Sequence, residues 1–136
     1  MNLAEKLLKL DSGEFTKKKT KKMKSRVLSE ILGEDAYVTL REISPQEFLD
    51  LQMPGLDENG DAIVSKTLDT NSRITAGVVV DPPLKDETLM KHFGVATPAE
   101  AAMKLFKGEV NAIAIEASKM AGFGSIEETD EEIKNS

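Results

Sequence analysis

Val110-Asn111-Ala112-Ile113-Ala114-Ile115-Glu116-Ala117-Ser118-Lys119-Met120-Ala121-Gly122-Phe123 is the stretch that decides the fold class of this chain. Val110, Ile113, Ala114, Ala117, Met120 and Ala121 recur at the i, i+3, i+4, i+7 spacing of one buried helix face. Gly122 stands where a left-handed cap is needed, and Phe123 can fold back onto the last turn. Upstream, Ser44-Pro45-Gln46-Glu47 and Thr97-Pro98-Ala99-Glu100 share one helix start, with a hydroxyl at the N-cap, Pro first and Glu third. The hydroxyl oxygen accepts a free backbone N–H, while the Glu reaches back to the cap's own N–H. The helix after Ser44 runs through Phe48, Leu49 and Leu51 and stops before Pro54-Gly55. The helix after Thr97 runs through Ala102, Met103 and Phe106 to Gly108. Asp86 caps a further short helix through Leu89 and Met90 toward Gly94.

Strand signals are fewer. Residues 36–43, Ala-Tyr-Val-Thr-Leu-Arg-Glu-Ile, alternate and are enriched in β-branched and aromatic types, so a strand is expected. Met23–Leu32 could pair with it through Gly33-Glu34-Asp35 as a hairpin, yet Val27, Leu28, Ile31 and Leu32 also fit helical spacing. Ile74–Val80 is a buried strand by propensity and, with Thr67–Arg73 before it, a buried helix by length. Pattern settles neither segment. Asp81-Pro82-Pro83 ends the second in either case.

The 136 residues suit one domain. Five Phe, one Tyr (Tyr37) and no Trp leave aliphatic and Met side chains to fill the core. No cysteine is present, which removes disulfides, thiol nucleophiles and thiolate metal sites and suits a reducing cytoplasm. One histidine, His92, makes a Ser-His-Asp triad or a multi-histidine metal centre a poor fit. No apolar run approaches the roughly 20 residues of a membrane span, and no secretory signal is visible. Composition points to a soluble, intracellular protein without catalysis or cofactor.

The net charge of −6 divides unevenly: +6 over residues 1–26, −8 over 27–123 and −4 over 124–136. Such ends can attract each other or other copies of the chain. The basic run Lys17, Lys18, Lys19, Lys21, Lys22, Lys24, Arg26 could neutralise phosphates as a nucleic-acid arm. It lacks interleaved aromatics to stack bases, and a solvated, mobile leader into the first strand is the favoured reading. Leu3, Leu7, Leu8 and Leu10 give a two-turn amphipathic helix that is marginal alone and needs a partner surface. The expected organisation is mainly α with a small N-terminal β element (α+β), a compact helical domain with flexible charged termini. Its parts are a basic arm with the short helix over 1–26, the body over 27–123 and an acidic disordered tail over 124–136.

Chemistry-bearing motifs are weak. Asp57-Glu58-Asn59-Gly60-Asp61 opens like a calcium loop, but Ala62 replaces the required Gly and Leu68 the bidentate Glu, so a polar turn is expected. His92 suits the dipole at a helix end. No Gly-rich phosphate loop occurs, and the six Met read as core filler.

The order of these features carries a resemblance. A β-like segment meets a Ser-Pro capped helix; Ile74-Thr75-Ala76-Gly77-Val78-Val79-Val80-Asp81-Pro82 precedes Leu84-Lys85-Asp86 and His92-Phe93-Gly94-Val95. Thr97-Pro98-Ala99-Glu100, Leu105-Phe106-Lys107-Gly108-Glu109 and the closing Ala121-Gly122-Phe123 follow. This succession resembles the XkdN-like family of phage tail assembly chaperones over about residues 38–123, best over 74–123, with Lys107 where members often carry Pro. The resemblance implies that 27–123 is a chaperone-like domain acting in the host bacterial cytoplasm of a phage or prophage. It implies binding of the tape measure protein, a long helical chain kept soluble while the tail tube polymerises. The tail tube protein and further copies of the chain are additional candidate partners. Leu105, Phe106, Met120 and Phe123 are the candidate contact residues, provided they are exposed. The alternative function is a small nucleic-acid-binding accessory protein working through Lys17–Arg26.

Overall fold

Apolar residues at helical spacing bury themselves by packing helix on helix, and here three helices do most of that packing. A computed structural model of the protein describes residues 1–124. In it α5 (Thr67–Val78) packs against both α7 (Pro98–Phe106) and α8 (Val110–Met120). α4 (Pro45–Gln52) lies against α5, and α6 (Glu87–Phe93) against α7. The remaining elements are α1 (Leu3–Leu8), α2 (Gly13–Thr16), β1 (Thr20–Lys24), α3 (Arg26–Leu32), β2 (Tyr37–Arg41) and β3 (Val79–Asp81). Helices dominate, with a three-stranded antiparallel sheet in the order β1-β2-β3, so the α+β organisation holds.

The two undecided segments each contain both answers. Ile74 belongs to α5, which continues to Val78; Val79 then leaves the helix and pairs with Leu40 of β2. Met23 and Lys24 end β1, and after Ser25 the chain turns into α3. Patterning places the first strand after the basic run, whereas the structure makes Thr20–Lys24 that strand. A charged segment can pair in this way because an edge strand keeps its lysines in water. Lys21 also meets Glu116 of α8, and Lys24 meets Asp35 at 2.9 Å. The expected acidic tail, beyond Gly124, lies outside the described residues.

Caps form where the sequence puts them, with one difference. Ser44 Oγ accepts from Glu47 N at 3.1 Å, and Thr97 Oγ1 accepts from Glu100 N at 3.2 Å. The returning carboxylates go elsewhere: Glu47 accepts from Arg41 at 2.9 Å, and Glu100 accepts from Ala96 N at 3.0 Å. Asp86 caps α6, and α8 closes with Phe123 N donating to Ser118 O at 3.0 Å around Gly122, whose φ is +95°. Gly55 marks a close approach: a Cβ there would stand 2.1 Å from Thr70 Oγ1 on α5. The Asp57 loop is a polar turn, its Oδ1 accepting from Asn59 N at 2.8 Å and Asp61 N at 3.0 Å.

Phe106 is fully buried and the bulkiest of the completely enclosed side chains; the same core contains Ile74, Val78, Ala102, Val110 and Ile113. A second tie is polar. The first turn of α3 leaves backbone N–H groups without helical partners. Ser25 Oγ takes Leu28 N at 3.1 Å, while Glu109, 83 residues from Arg26, takes Arg26 N at 2.9 Å and Val27 N at 3.4 Å and also binds the Ser25 hydroxyl. A carboxylate there also complements the helix dipole.

Phe106→Ala leaves a core cavity and is expected to cost about 3–5 kcal/mol, read from chemical denaturation. Glu109→Ala leaves the α3 amides and a buried hydroxyl without their acceptor. It is expected to cost about 1–3 kcal/mol, with faster amide exchange confined first to Arg26 and Val27.

Candidate partner-binding surface

A helix whose neighbours cover only part of its circumference leaves a groove beside it. α4 packs chiefly on α5 and touches α8 less, and a cleft of about 240 Å³ opens where the three meet. Its floor is apolar: Phe48 from α4, Ile74 from α5 and Ala114 from α8, all nearly or fully buried. Its rim is polar: Gln52, Asn71, Asn111 and Ser118. Asn71 Nδ2 donates to Asn111 Oδ1 at 2.7 Å, tying α5 to α8 along one wall. Gln52 and Asn71 also line a second hollow of about 150 Å³ that runs on toward Gly55, Leu56 and Ile63. The two hollows share Gln52 and Asn71 as a common wall.

Ile115 stands on this rim and is 58% exposed, although α8 buries Val110, Ile113, Ala114 and Ala117. Exposed apolar side chains also occur on the bordering elements: Leu49 on α4, Met53 just after it and Leu68 on α5. Amphipathic helices dock in grooves of this kind, apolar stripe to floor and polar flank to rim.

The four sequence-derived contact candidates do not form one patch. Phe106 is fully buried and fails the exposure condition, because α7 turns it into the core with Ala102. Leu105 and Met120 are half-buried against that same core. Met120 lies about 140° around α8 from Ile115, at 3.6 residues per turn. Phe123 is 38% exposed and packs on Phe48 with ring centroids 5.4 Å apart, which puts it beside the cleft floor. Ile115 was not legible as a contact because it lies off the buried stripe, where apolar residues are common and uninformative.

The N-terminal arm offers a second apolar surface. Leu3, Leu8 and Phe15 are each at least 68% exposed, and among the described residues every hydrogen bond of residues 1–18 stays within that segment. Of the seven basic residues in 17–26, Lys21, Lys24 and Arg26 are matched to Glu116, Asp35 and Glu30. The hydrogen bond and charge of Asp35 raise the Lys24 ammonium above its ordinary 10.5. Any stability from that pair is fully present below the unfolded-state value and fades only as pH climbs through the folded one, in strongly alkaline solution.

His92 sits in the last turn of α6, edge-on to Phe93 with centroids 5.0 Å apart. Among the described residues no three His, Asp or Glu side chains gather as a metal ion would need, and no helix is long and apolar enough to cross a membrane.

Comparison with known proteins places this architecture. The crystal structure of the protein yqbn superposes with a TM-score of 0.54 at 16% identity, covering 77% of this chain and 87% of that one, a likeness of fold. No curated protein matches the sequence. The family described as phage XkdN-like tail assembly chaperone protein matches residues 4–134. All but the first three and last two residues fall within that match, and the chain therefore belongs to the XkdN-like family of phage tail assembly chaperones.

Proposed function

We propose that this chaperone binds the tape measure protein in the host bacterial cytoplasm, keeping that long helical chain soluble while the tail tube assembles, and that it does so without catalysis. The observation that carries the reading is the cleft of α4, α5 and α8, with Ile115 in solvent on its rim and Phe123 beside its floor. A helix of the client would lay its apolar stripe on Phe48, Ile74 and Ala114 and meet the amides of Asn71 and Asn111 with its polar flank. Leu105 and Met120 would add contact only through their exposed portions.

The test is co-expression with the tape measure protein of the same gene cluster. The wild-type chain should move that protein into the soluble fraction and co-elute with it. Ile115→Lys removes an apolar side chain whose burial contributes about 1.5–3 kcal/mol, so client affinity should fall at least tenfold with the fold's melting unchanged. A client that stays equally insoluble with and without the chain, or binds Ile115→Lys as well as wild type, overturns the reading.

A further inference from the structure

β1 lies at the edge of the sheet: one side of its backbone pairs with β2, and among the described residues no strand covers the other. In an antiparallel pair, residues alternate between exchanging both backbone bonds with the opposite residue and turning both groups away. Here Lys19 O accepts from Glu42 N at 2.8 Å, and Ser25 N donates to Ala36 O at 2.9 Å. The register between them is unbroken, so Lys21 and Met23 are the residues that bond to β2. Thr20, Lys22 and Lys24, all exposed, therefore turn three N–H and three C=O groups outward. They stand about 7 Å apart along the edge, at the spacing of a further strand.

The side chains of this edge select what can pair there. Met23 packs against the core, so Thr20, Lys22 and Lys24 project from the opposite face of the sheet. Lys24 is matched to Asp35, whereas Lys17, Lys18, Lys19 and Lys22 are exposed and form no ion pair among the described residues. A second copy of β1 would set lysine against lysine, and like charges directly opposite destabilise a strand pair. A nucleic acid would find no aromatic residue over 17–24 on which to stack a base, and it has no amide ladder to match the outward backbone groups. An extended acidic polypeptide satisfies both the charge and the backbone. We infer that β1 takes such a segment of a partner protein as a fourth strand, its main chain pairing with Thr20, Lys22 and Lys24 and its carboxylates meeting Lys22 and the Lys17–Lys19 run. This surface is separate from the cleft. Lys21 of β1 meets Glu116, and at about 100° per residue Glu116 lies on the flank of α8 away from Asn111, Ala114 and Ser118. The inference goes beyond client binding and does not depend on it.

The test titrates the full chain with the peptide Thr-Glu-Val-Glu-Val-Glu-Thr and with the same peptide N-methylated throughout, which keeps its charges and loses its backbone donors. The unmodified peptide should slow amide exchange at Thr20, Lys22 and Lys24 and leave Lys21 and Met23, already bonded to β2, unchanged. Its binding should weaken as salt rises. N-methylation should weaken binding at least tenfold. The triple variant Lys18→Gln/Lys19→Gln/Lys22→Gln, at three exposed positions, should also bind the unmodified peptide at least tenfold more weakly, with melting unchanged. Four results overturn the inference: an unmodified peptide that does not bind, a methylated peptide that binds as well, protection that misses Thr20, Lys22 and Lys24, or a uridine oligonucleotide that binds these lysines more tightly than the peptide does.

Discussion

The close approach of α5 to α7 and α8 is the constraint on which the rest of the structure depends. Small side chains make it possible: Ala101 and Ala102 on α7, Ala114 and Ala117 on α8, all buried. Phe106 fills the remaining space, and Thr75 on α5, fully buried, reaches Val110 O at 3.4 Å. Interiors at this density tolerate neither a missing ring nor an added methyl. Because α5 passes straight into β3, the position of this helix also fixes the sheet. β3 pairs with β2 and β2 with β1, and β1 returns to α8 through Lys21 and Glu116. Glu109, at the corner between α7 and α8, then holds the start of α3. Sheet and bundle are thus closed on each other, although most of their ties join residues far apart in sequence.

The groove is a by-product of that arrangement. α4 must follow β2 closely, and it reaches α5 where Gly77 lets Leu51 come near; a Cβ on Gly77 would stand 3.1 Å from Leu51 Cδ1. Held there, α4 leaves the flank of α8 that carries Asn111, Ile115 and Ser118 open to water. The same packing that completes the core leaves the cleft beside it.

What could be read in the sequence was whatever acts locally. Ser44, Asp86 and Thr97 cap amides two or three residues away, and Gly94 and Gly122 turn the chain at their own positions, so four helices were visible before any tertiary structure. Ile74–Val80 was undecidable because the helix ends inside an unbroken apolar run, at Val78, and only the pairing of Val79 with Leu40 says so. The basic run misled for a similar reason. Its like charges argue for solvation until Glu116 and Asp35, 95 and 11 residues away, are brought opposite Lys21 and Lys24. The groove was illegible throughout, since its lining is drawn from three helices and its exposed apolar member, Ile115, falls outside any periodic stripe.

A shallow channel with an amide border has consequences for the proposed role. One docked helix gains the burial of Ile115 and part of Phe123, a few kcal/mol at about 25 cal/mol per Å², before the cost of ordering two molecules is subtracted. A single contact of that kind is weak and short-lived. A long helical client, however, presents many such helices, and copies bound side by side act at high effective concentration on one another. Weak sites repeated along one chain hold it firmly as a set and release it one site at a time. In the proposed role, that combination would let a growing tail tube displace the copies one after another along the client.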